Sequence, residues 1–303
     1  MALTVEAITN SPLAIGLFSR LAGKIPPPWG YGLADFIADQ IARQRNSPVV
    51  RAVRANQAVL LGEDGSPAAL DQAVRETLGH SARSIFDLYH YLRDLGSAGR
   101  LVVLEGAVEE LMRRPAFGRA GVVLAGIHLS SFDLLLRWFC RQAIRPLVLT
   151  IPDPRGGRRT EYEMRRQMGM NLVPATIGGL RQALRHLQHG GAVVTGIDHP
   201  VSNARLRPQF FGRPAALPLH HVLLAARARV PVVVLAATWE ADCRYHVRAS
   251  EPVEMIGGGD PDGAALRNAE AVLLRAEAFI RMAPRQWSVP RPVWPSATEL
   301  VFF

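Results

Sequence analysis

Val122-Val123-Leu124-Ala125-Gly126-Ile127-His128-Leu129-Ser130-Ser131-Phe132-Asp133 runs from an unbroken apolar segment into a short polar turn and then into a second apolar segment. A short apolar run ending at a turn predicts a buried strand over 122–127, and the residues after it predict a helix over 132–141. His128 and Asp133 stand five positions apart. On one continuous helix that separation is about 140° around the axis, so the two side chains would not face each other. They can meet only if His128 sits in the turn and Asp133 points back from the helix start. In that arrangement the carboxylate keeps one ring nitrogen protonated and leaves the other free to take a proton from a hydroxyl. This is the base-and-orienter half of a catalytic triad, with the substrate's own hydroxyl as nucleophile. The plain alternative is a turn histidine beside an aspartate that the helix dipole favours.

Working outward, the same alternation repeats. Strands are expected over 146–151, 171–174, 192–197 and 230–237, with an edge strand over 245–249. Helices are expected over 160–168, 177–188, 217–229 and 264–282. The first hundred residues read as helical, most clearly over 71–92, where Val74, Leu78, Ile85, Leu88 and Leu92 form one stripe. A Pro-rich break is expected over 25–30. The expected fold class is α/β: a mixed, mostly parallel central sheet covered by helices, with a helical N-terminal region (1–117) packing on an α/β core (118–303) as one compact domain. Ligands of such sheets bind beyond the carboxyl ends of the strands, which singles out His128, Asp153 and Asp198.

The chain has 303 residues, 49% of them apolar, a formal net charge of +9 and a pI near 10.6. Lys24 is its one lysine, so almost all the positive charge is arginine, whose planar fork suits phosphate. A basic balance points to anionic partners. The arginines are dispersed and no basic-aromatic nucleic-acid module is present, so nucleic acid is not the expected partner. Cys140 and Cys243 form neither a disulfide framework nor a zinc ligand set. His220 and His221, adjacent on a helix, point different ways, and no metal or other cofactor is expected. No apolar run approaches the ~18–20 residues of a spanning helix. The uncharged segment 7–19 is too short, so an encounter with membrane would be on its surface. Gly257-Gly258-Gly259-Asp260 is a turn cluster rather than a dinucleotide loop. Serine-hydrolase and phosphate-loop motifs are missing.

Several further motifs follow in order. They are Gly126-Ile127-His128 through Asp133; Arg165-Arg166-Gln167-Met168-Gly169; Gly179-Leu180 through Leu187-Gln188-His189-Gly190-Gly191; Ile197-Asp198-His199; Phe210-Phe211-Gly212-Arg213-Pro214-Ala215; Val230-Pro231-Val232-Val233; and Met282-Ala283-Pro284-Arg285-Gln286-Trp287. Together they resemble the lipid A biosynthesis lauroyl and myristoyl acyltransferases. That family lies within the wider His-x4-Asp/Glu superfamily of glycerol-phosphate and lysophosphatidate acyltransferases. The resemblance covers most of the chain, most clearly 121–287. Asp133 stands where the lipid A branch usually has Glu, and only Trp294 remains of the charged segment that usually follows the Gln-Trp. The family's N-terminal spanning helix is not evident. A branch acylating other glycolipids, such as phosphatidylinositol mannosides, fits the pattern as well.

The resemblance implies a glycerolipid-acyltransferase-like fold. It also implies an O-acyltransferase that moves a fatty acyl group from an acyl-CoA or acyl-carrier-protein thioester to a hydroxyl, or hydroxyacyl group, of a glycolipid or lysophospholipid. The catalytic pair would be His128 and Asp133. Arg165 and Arg166 would grip an acceptor phosphate or the donor's phosphopantetheine, or else form a solvated basic face. Asp198 would position the acceptor or clamp arginines, or else cap its loop. Arg205, Arg207 and Arg213 would meet a headgroup. Phe211 and Gly212 would line a groove or anchor a loop. Leu134 to Leu136, Trp138 and Phe139 read as core rather than as an acyl tunnel. The expected partners are a membrane lipid acceptor, the acyl donor and an anionic membrane surface. The expected location is peripheral, on the cytoplasmic face of the inner membrane. The rival readings are a catalytically inactive lipid-binding relative and a basic nucleic-acid-binding protein.

Overall fold

The structure, a computed structural model, describes residues 20–62, 65–113, 121–142, 145–154, 156–202 and 204–294. The uncharged segment 7–19 and the boundary expected at 117/118 lie outside the described residues. Seven strands form one sheet: β1 (Val102–Leu104), β2 (Val122–Gly126), β3 (Leu147–Thr150), β4 (Asn171–Pro174), β5 (Ala192–Gly196), β8 (Val232–Trp239) and β9 (Tyr245–Ala249). Their order across the sheet is β1-β9-β8-β2-β5-β3-β4. All neighbours are parallel except β8 and β9. A small antiparallel pair, β6 (Gln209–Phe210) with β7 (Arg213–Pro214), stands apart from the sheet. The expected α/β class with a mostly parallel sheet is therefore observed.

β2 lies at the centre and is buried along its whole length. Alternate side chains enter opposite faces. Val123 and Ala125 join one core cluster with Ala183 and Leu187 of α8 (Ile177–Gln188), Val222 and Leu224 of α9 (His220–Ala228), and Val272 and Leu273 of α10 (Pro261–Met282). Val122 and Leu124 join another cluster with Leu136 and Phe139 of α6 (Phe132–Phe139). The leucines expected to be core rather than tunnel, Leu134 to Leu136, are buried.

Local chemistry sets the helix starts. Thr176 accepts from Gly179 N at 3.2 Å to begin α8. Asp260 accepts from Gly263 N at 2.8 Å to begin α10. Such side-chain caps satisfy N–H groups that a helix start leaves without partners.

The N-terminal helices α1 (Pro27–Ala42), α2 (Pro48–Leu61) and α3 (Pro67–His90) each carry proline in the first turn. Short helices α4 (Leu95–Gly99) and α5 (Gly106–Arg113) flank β1, and α7 (Gly157–Gln167) joins β3 to β4.

Two sequence expectations need correction. The Pro-rich run 25–30 is a break only at its start: Pro27, Pro28, Trp29 and Gly30 already belong to α1, because proline in the first turn removes an N–H that has no helical partner there. The 245–249 strand is not an edge. It lies between β8 and β1, and the edge is β1, whose three half-buried residues are too few to give a periodic signal.

Candidate active site

β2 and β5 are parallel neighbours with Gly126 beside Gly196. Their carboxyl ends deliver His128 and Asp198 to one place, as the sheet geometry requires. Asp198 is fully buried and accepts three hydrogen bonds: from His128 Nδ1 at 2.6 Å, from the His128 backbone N–H at 2.7 Å and from Trp287 Nε1 at 2.8 Å. The His128 side chain is 34% exposed, so the ring edge away from Asp198 is open to an incoming group. Burial pushes the imidazole pKa down, but the charge and hydrogen bond of Asp198 push it up further, and the net direction is up. Burial likewise raises the Asp198 carboxyl, yet His128 and the Trp287 N–H outweigh it and hold the group below the usual carboxylate range.

The turn is shaped by close packing. A side chain at Gly126 would put its Cβ 2.3 Å from the Phe132 ring, so glycine there lets α6 fold back over the strand. Ser130 takes the left-handed backbone conformation, φ 53°. A strap from the far end of the described chain braces the turn: Ser130 N donates to Gln286 O at 2.9 Å, and Ser288 N donates to His128 O at 3.1 Å. Gln286 is fixed in turn by paired hydrogen bonds to the Trp239 backbone, 2.7 and 2.8 Å.

Asp133 does not hold the imidazole, contrary to the expectation from spacing. Its two oxygens accept from Arg165 Nη2 at 2.5 and 2.6 Å, while Nδ1 of His128 is committed to Asp198. The physical reason is the burial of Asp198 directly against the turn, where it reaches both the ring and the backbone N–H. Asp133 remains close enough for its charge to raise the His128 pKa. Its own pKa, which burial would raise, is held low by Arg165 and then Arg137. Behind this pair lies a second one. Fully buried Arg137, one helical turn after Asp133, donates to Glu161 at 2.5 Å, and Glu161 also accepts from the Tyr89 hydroxyl. Glu161 stands one turn before Arg165 on α7, so four alternating charges bridge α6 and α7.

The other expected site residues separate into groups. Arg165 is at the site. Arg166 points into solvent beside Glu163, at 3.2 Å. Arg205 pairs with Asp262 at the start of α10 at 2.6 Å, and Arg207 is exposed on its loop. Asp153, after β3, is exposed.

Phe211 and Gly212 make the left-handed turn between β6 and β7, with φ 50° and 69°. That turn is an anchor: Phe211 N donates to Glu277 at 2.6 Å, and the Arg281 guanidinium lies 4.7 Å from the Phe211 ring centre. Arg213 is half-buried in β7. Phe210 stacks on Trp294 at 5.5 Å and meets Trp287 edge-on at 6.1 Å, so this aromatic group backs the indole that serves Asp198.

Trp287 as a donor, and the Arg137–Glu161–Tyr89 group, escaped the sequence reading. Only the motif position of Trp287 pointed to it. His199 lies 5.6 Å from His128 between ring centres, and burial pushes its pKa down to about 4, so it is neutral at ordinary pH. His220 Nε2 lies 2.6 Å from Thr195 Oγ1. Among the described residues no group of three or more His, Cys, Asp or Glu side chains could hold a metal ion.

A comparison with curated proteins returned no match. Among solved structures, the chain is similar to the 1-acyl-sn-glycerophosphate (LPA) acyltransferase PlsC from Thermotoga maritima, at 15% sequence identity and a TM-score of 0.39. That similarity spans 84% of this chain and 97% of that one. Residues 13–294 match the bacterial lipid A biosynthesis acyltransferase family. The chain belongs to that family and is an acyltransferase of lipid biosynthesis.

Proposed function

We propose that the chain transfers a fatty acyl group from a thioester of coenzyme A or acyl carrier protein to a hydroxyl of a glycolipid or lysophospholipid, with His128 as general base oriented by Asp198. The observation that carries this reading is the chain of hydrogen bonds Trp287–Asp198–His128 ending at a partly exposed imidazole edge. With Nδ1–H donated to Asp198, Nε2 is the basic nitrogen. The acceptor hydroxyl loses its proton to Nε2 as its oxygen bonds to the thioester carbonyl carbon. The tetrahedral intermediate then expels the thiolate, which takes that proton from His128 and leaves as the thiol. Atoms and charge balance without another reactant. Asp198 stabilises the imidazolium formed between the two steps.

The developing oxyanion needs fixed donors. Ser131, before α6, makes no side-chain cap, so the first N–H groups of that helix remain for this role. Arg165 supplies positive charge beside them. Nη2 engages Asp133 and Nε is buried, so Nη1 is the part of the guanidinium that would meet a phosphate of the acceptor or donor.

The test is direct. Purified protein is given acyl-CoA or acyl carrier protein and a lysophospholipid or glycolipid acceptor, and acylated product is followed by mass spectrometry. His128→Ala should lower turnover by about two to four decades without altering the circular dichroism spectrum. Near-wild-type turnover in that variant would sink the mechanism.

A further inference from the structure

Helix α1 presents two unlike faces. Gly30, Ala34 and Ala38 are buried, and Gly30 lies flat against the Phe86 ring of α3. On the outside, Trp29, Leu33, Phe36 and Ile37 are all exposed; Trp29 is 78% exposed and Phe36 61%. At 3.6 residues per turn these four fall within an arc of roughly 100°. The acids of the helix lie off that arc, and Asp35 is drawn toward α3 by Arg83, at 2.7 Å. Leu21, just before the helix, is exposed too. Cations bracket the stripe: Arg20 and Lys24 precede it, and Arg43 and Arg45 follow it, all exposed. Single exposed apolar residues are ordinary, but an aromatic-rich contiguous stripe on one helix marks a contact surface.

We infer that this face of α1 lies in the interface of a lipid bilayer containing anionic headgroups, with Trp29 and Phe36 as its inserted anchors. The inference rests on the membership in a lipid-acylating family established above. The occupant follows from the chemistry of the stripe. A Trp-Leu-Phe-Ile face with cations at both ends matches an apolar layer edged by negative charge, and tryptophan is suited to that boundary. No described helix is long and apolar enough to cross a bilayer, so contact through this face leaves the helix lying in the surface plane. The position also serves the reaction. α3, on which α1 packs, touches the catalytic turn through its opposite face: Ser131 Oγ lies 3.3 Å from Ser84 O, and Ser288 Oγ lies 3.1 Å from Ser81 Oγ. α1 and α3 then lie between the bilayer and His128, about two helix diameters or ~20 Å, so the acceptor headgroup must rise from the surface along them to reach the base.

The test uses the full chain and flotation with vesicles of phosphatidylcholine alone or with added phosphatidylglycerol. Wild-type protein should float with the anionic vesicles, and Trp29→Ser/Phe36→Ser should partition at least about tenfold more weakly into either kind. Lys24→Glu should weaken binding to the anionic vesicles only. Acyl-CoA hydrolysis in solution should be the same in all three proteins, because none of these residues touches the site. Unchanged flotation of the double variant overturns the inference. So does a change from dimer to monomer in that variant with flotation intact, which would make a second copy of the chain the occupant. Normal flotation without any acyl transfer would instead strike the catalytic reading and leave the docking face standing.

Discussion

Arg165 grips Asp133 through one nitrogen: Nη2 lies 2.5 Å from Oδ1 and 2.6 Å from Oδ2. The aspartate of the His-x4-Asp spacing is therefore an anion holding a cation in place, with the imidazole beside that pair and bonded elsewhere. Asp133→Ala and Arg165→Ala should then act as a unit. Each should lower kcat/KM by at least about tenfold, and the double variant should be little worse than the weaker single one. Asp133→Glu should retain part of the activity, since a longer carboxylate can still meet the guanidinium. A double-variant cycle on purified protein measures the coupling, and full additivity would contradict the shared role.

The pH profile should report Asp198. The base must be neutral to act, and His128 is held above its ordinary 6.5 because the Asp198 contribution exceeds the downward effect of burial. Activity should rise with pH through a midpoint above 6.5. In Asp198→Asn the charge that favours the imidazolium is gone while burial remains, so the midpoint should move down even as the maximal rate falls. Profiles of kcat/KM for the two proteins check this; an upward move in the variant would rule out Asp198 as the orienting charge.

Trp287→Phe keeps most of the buried ring against Phe210 but deletes the N–H given to Asp198. An unsatisfied buried acceptor costs about 1–3 kcal/mol, and the loss should be felt as lower stability and lower kcat together. Trp294→Phe, whose N–H serves the Phe210 carbonyl at 2.9 Å, should lower stability with a smaller effect on kcat. Urea denaturation and steady-state kinetics on both variants separate the two roles.

Stability should also carry a signature of Asp87. This buried carboxyl accepts from the hydroxyls of Tyr31, at 2.9 Å, and Tyr245, yet burial outweighs both and raises its pKa to about 6. A folded-state value above the unfolded 3.8 means the native chain holds the proton longer. The stabilisation is complete below about pH 3.8 and is lost as pH rises through about 6, a swing of roughly 3 kcal/mol. The stability difference between wild type and Asp87→Asn should shift by that amount in favour of the variant between pH 3.5 and 7. Chemical denaturation across that range reads it, and a flat difference would refute the assignment.

Much of the sheet was legible because its strands are buried on both faces and read as continuous apolar runs, as in 122–127 and 230–237. Asn171–Pro174 and Ile177–Gln188 begin and end where turn and cap chemistry placed them. β1 was not legible, since three half-exposed residues become a strand only by pairing with β9, whose sequence lies far away. The site divides on the same line. His128, Asp198 and Arg165 follow from positions after strands or on a basic helix, which local sequence reveals. Which carboxylate faces the imidazole depends on the register of β2 against β5, which local sequence does not reveal, so the five-residue spacing pointed to Asp133 in place of Asp198. Trp287 was visible only as part of a motif, because a donor brought from 89 positions away leaves no local trace.

The strap that braces the catalytic turn has a consequence for the order in which the protein is made. Asn56 accepts from Val293 N at 3.0 Å and donates to Val289 O and Arg291 O, and Trp287 completes the bonding of Asp198. The Asn56 contacts join residues more than two hundred positions apart, and the Trp287 contact spans 89. On the ribosome, the sheet strands that carry His128 and Asp198 emerge well before the segment that locks them. Pairing of β2 with β5 can bring acid and base together early, but the turn that carries the base is not braced as in the finished structure until residues 286–294 have left the exit tunnel. Such long-range closure is slow to form, so the interval in which the chain already exposes apolar surface but still lacks that brace is built into its topology.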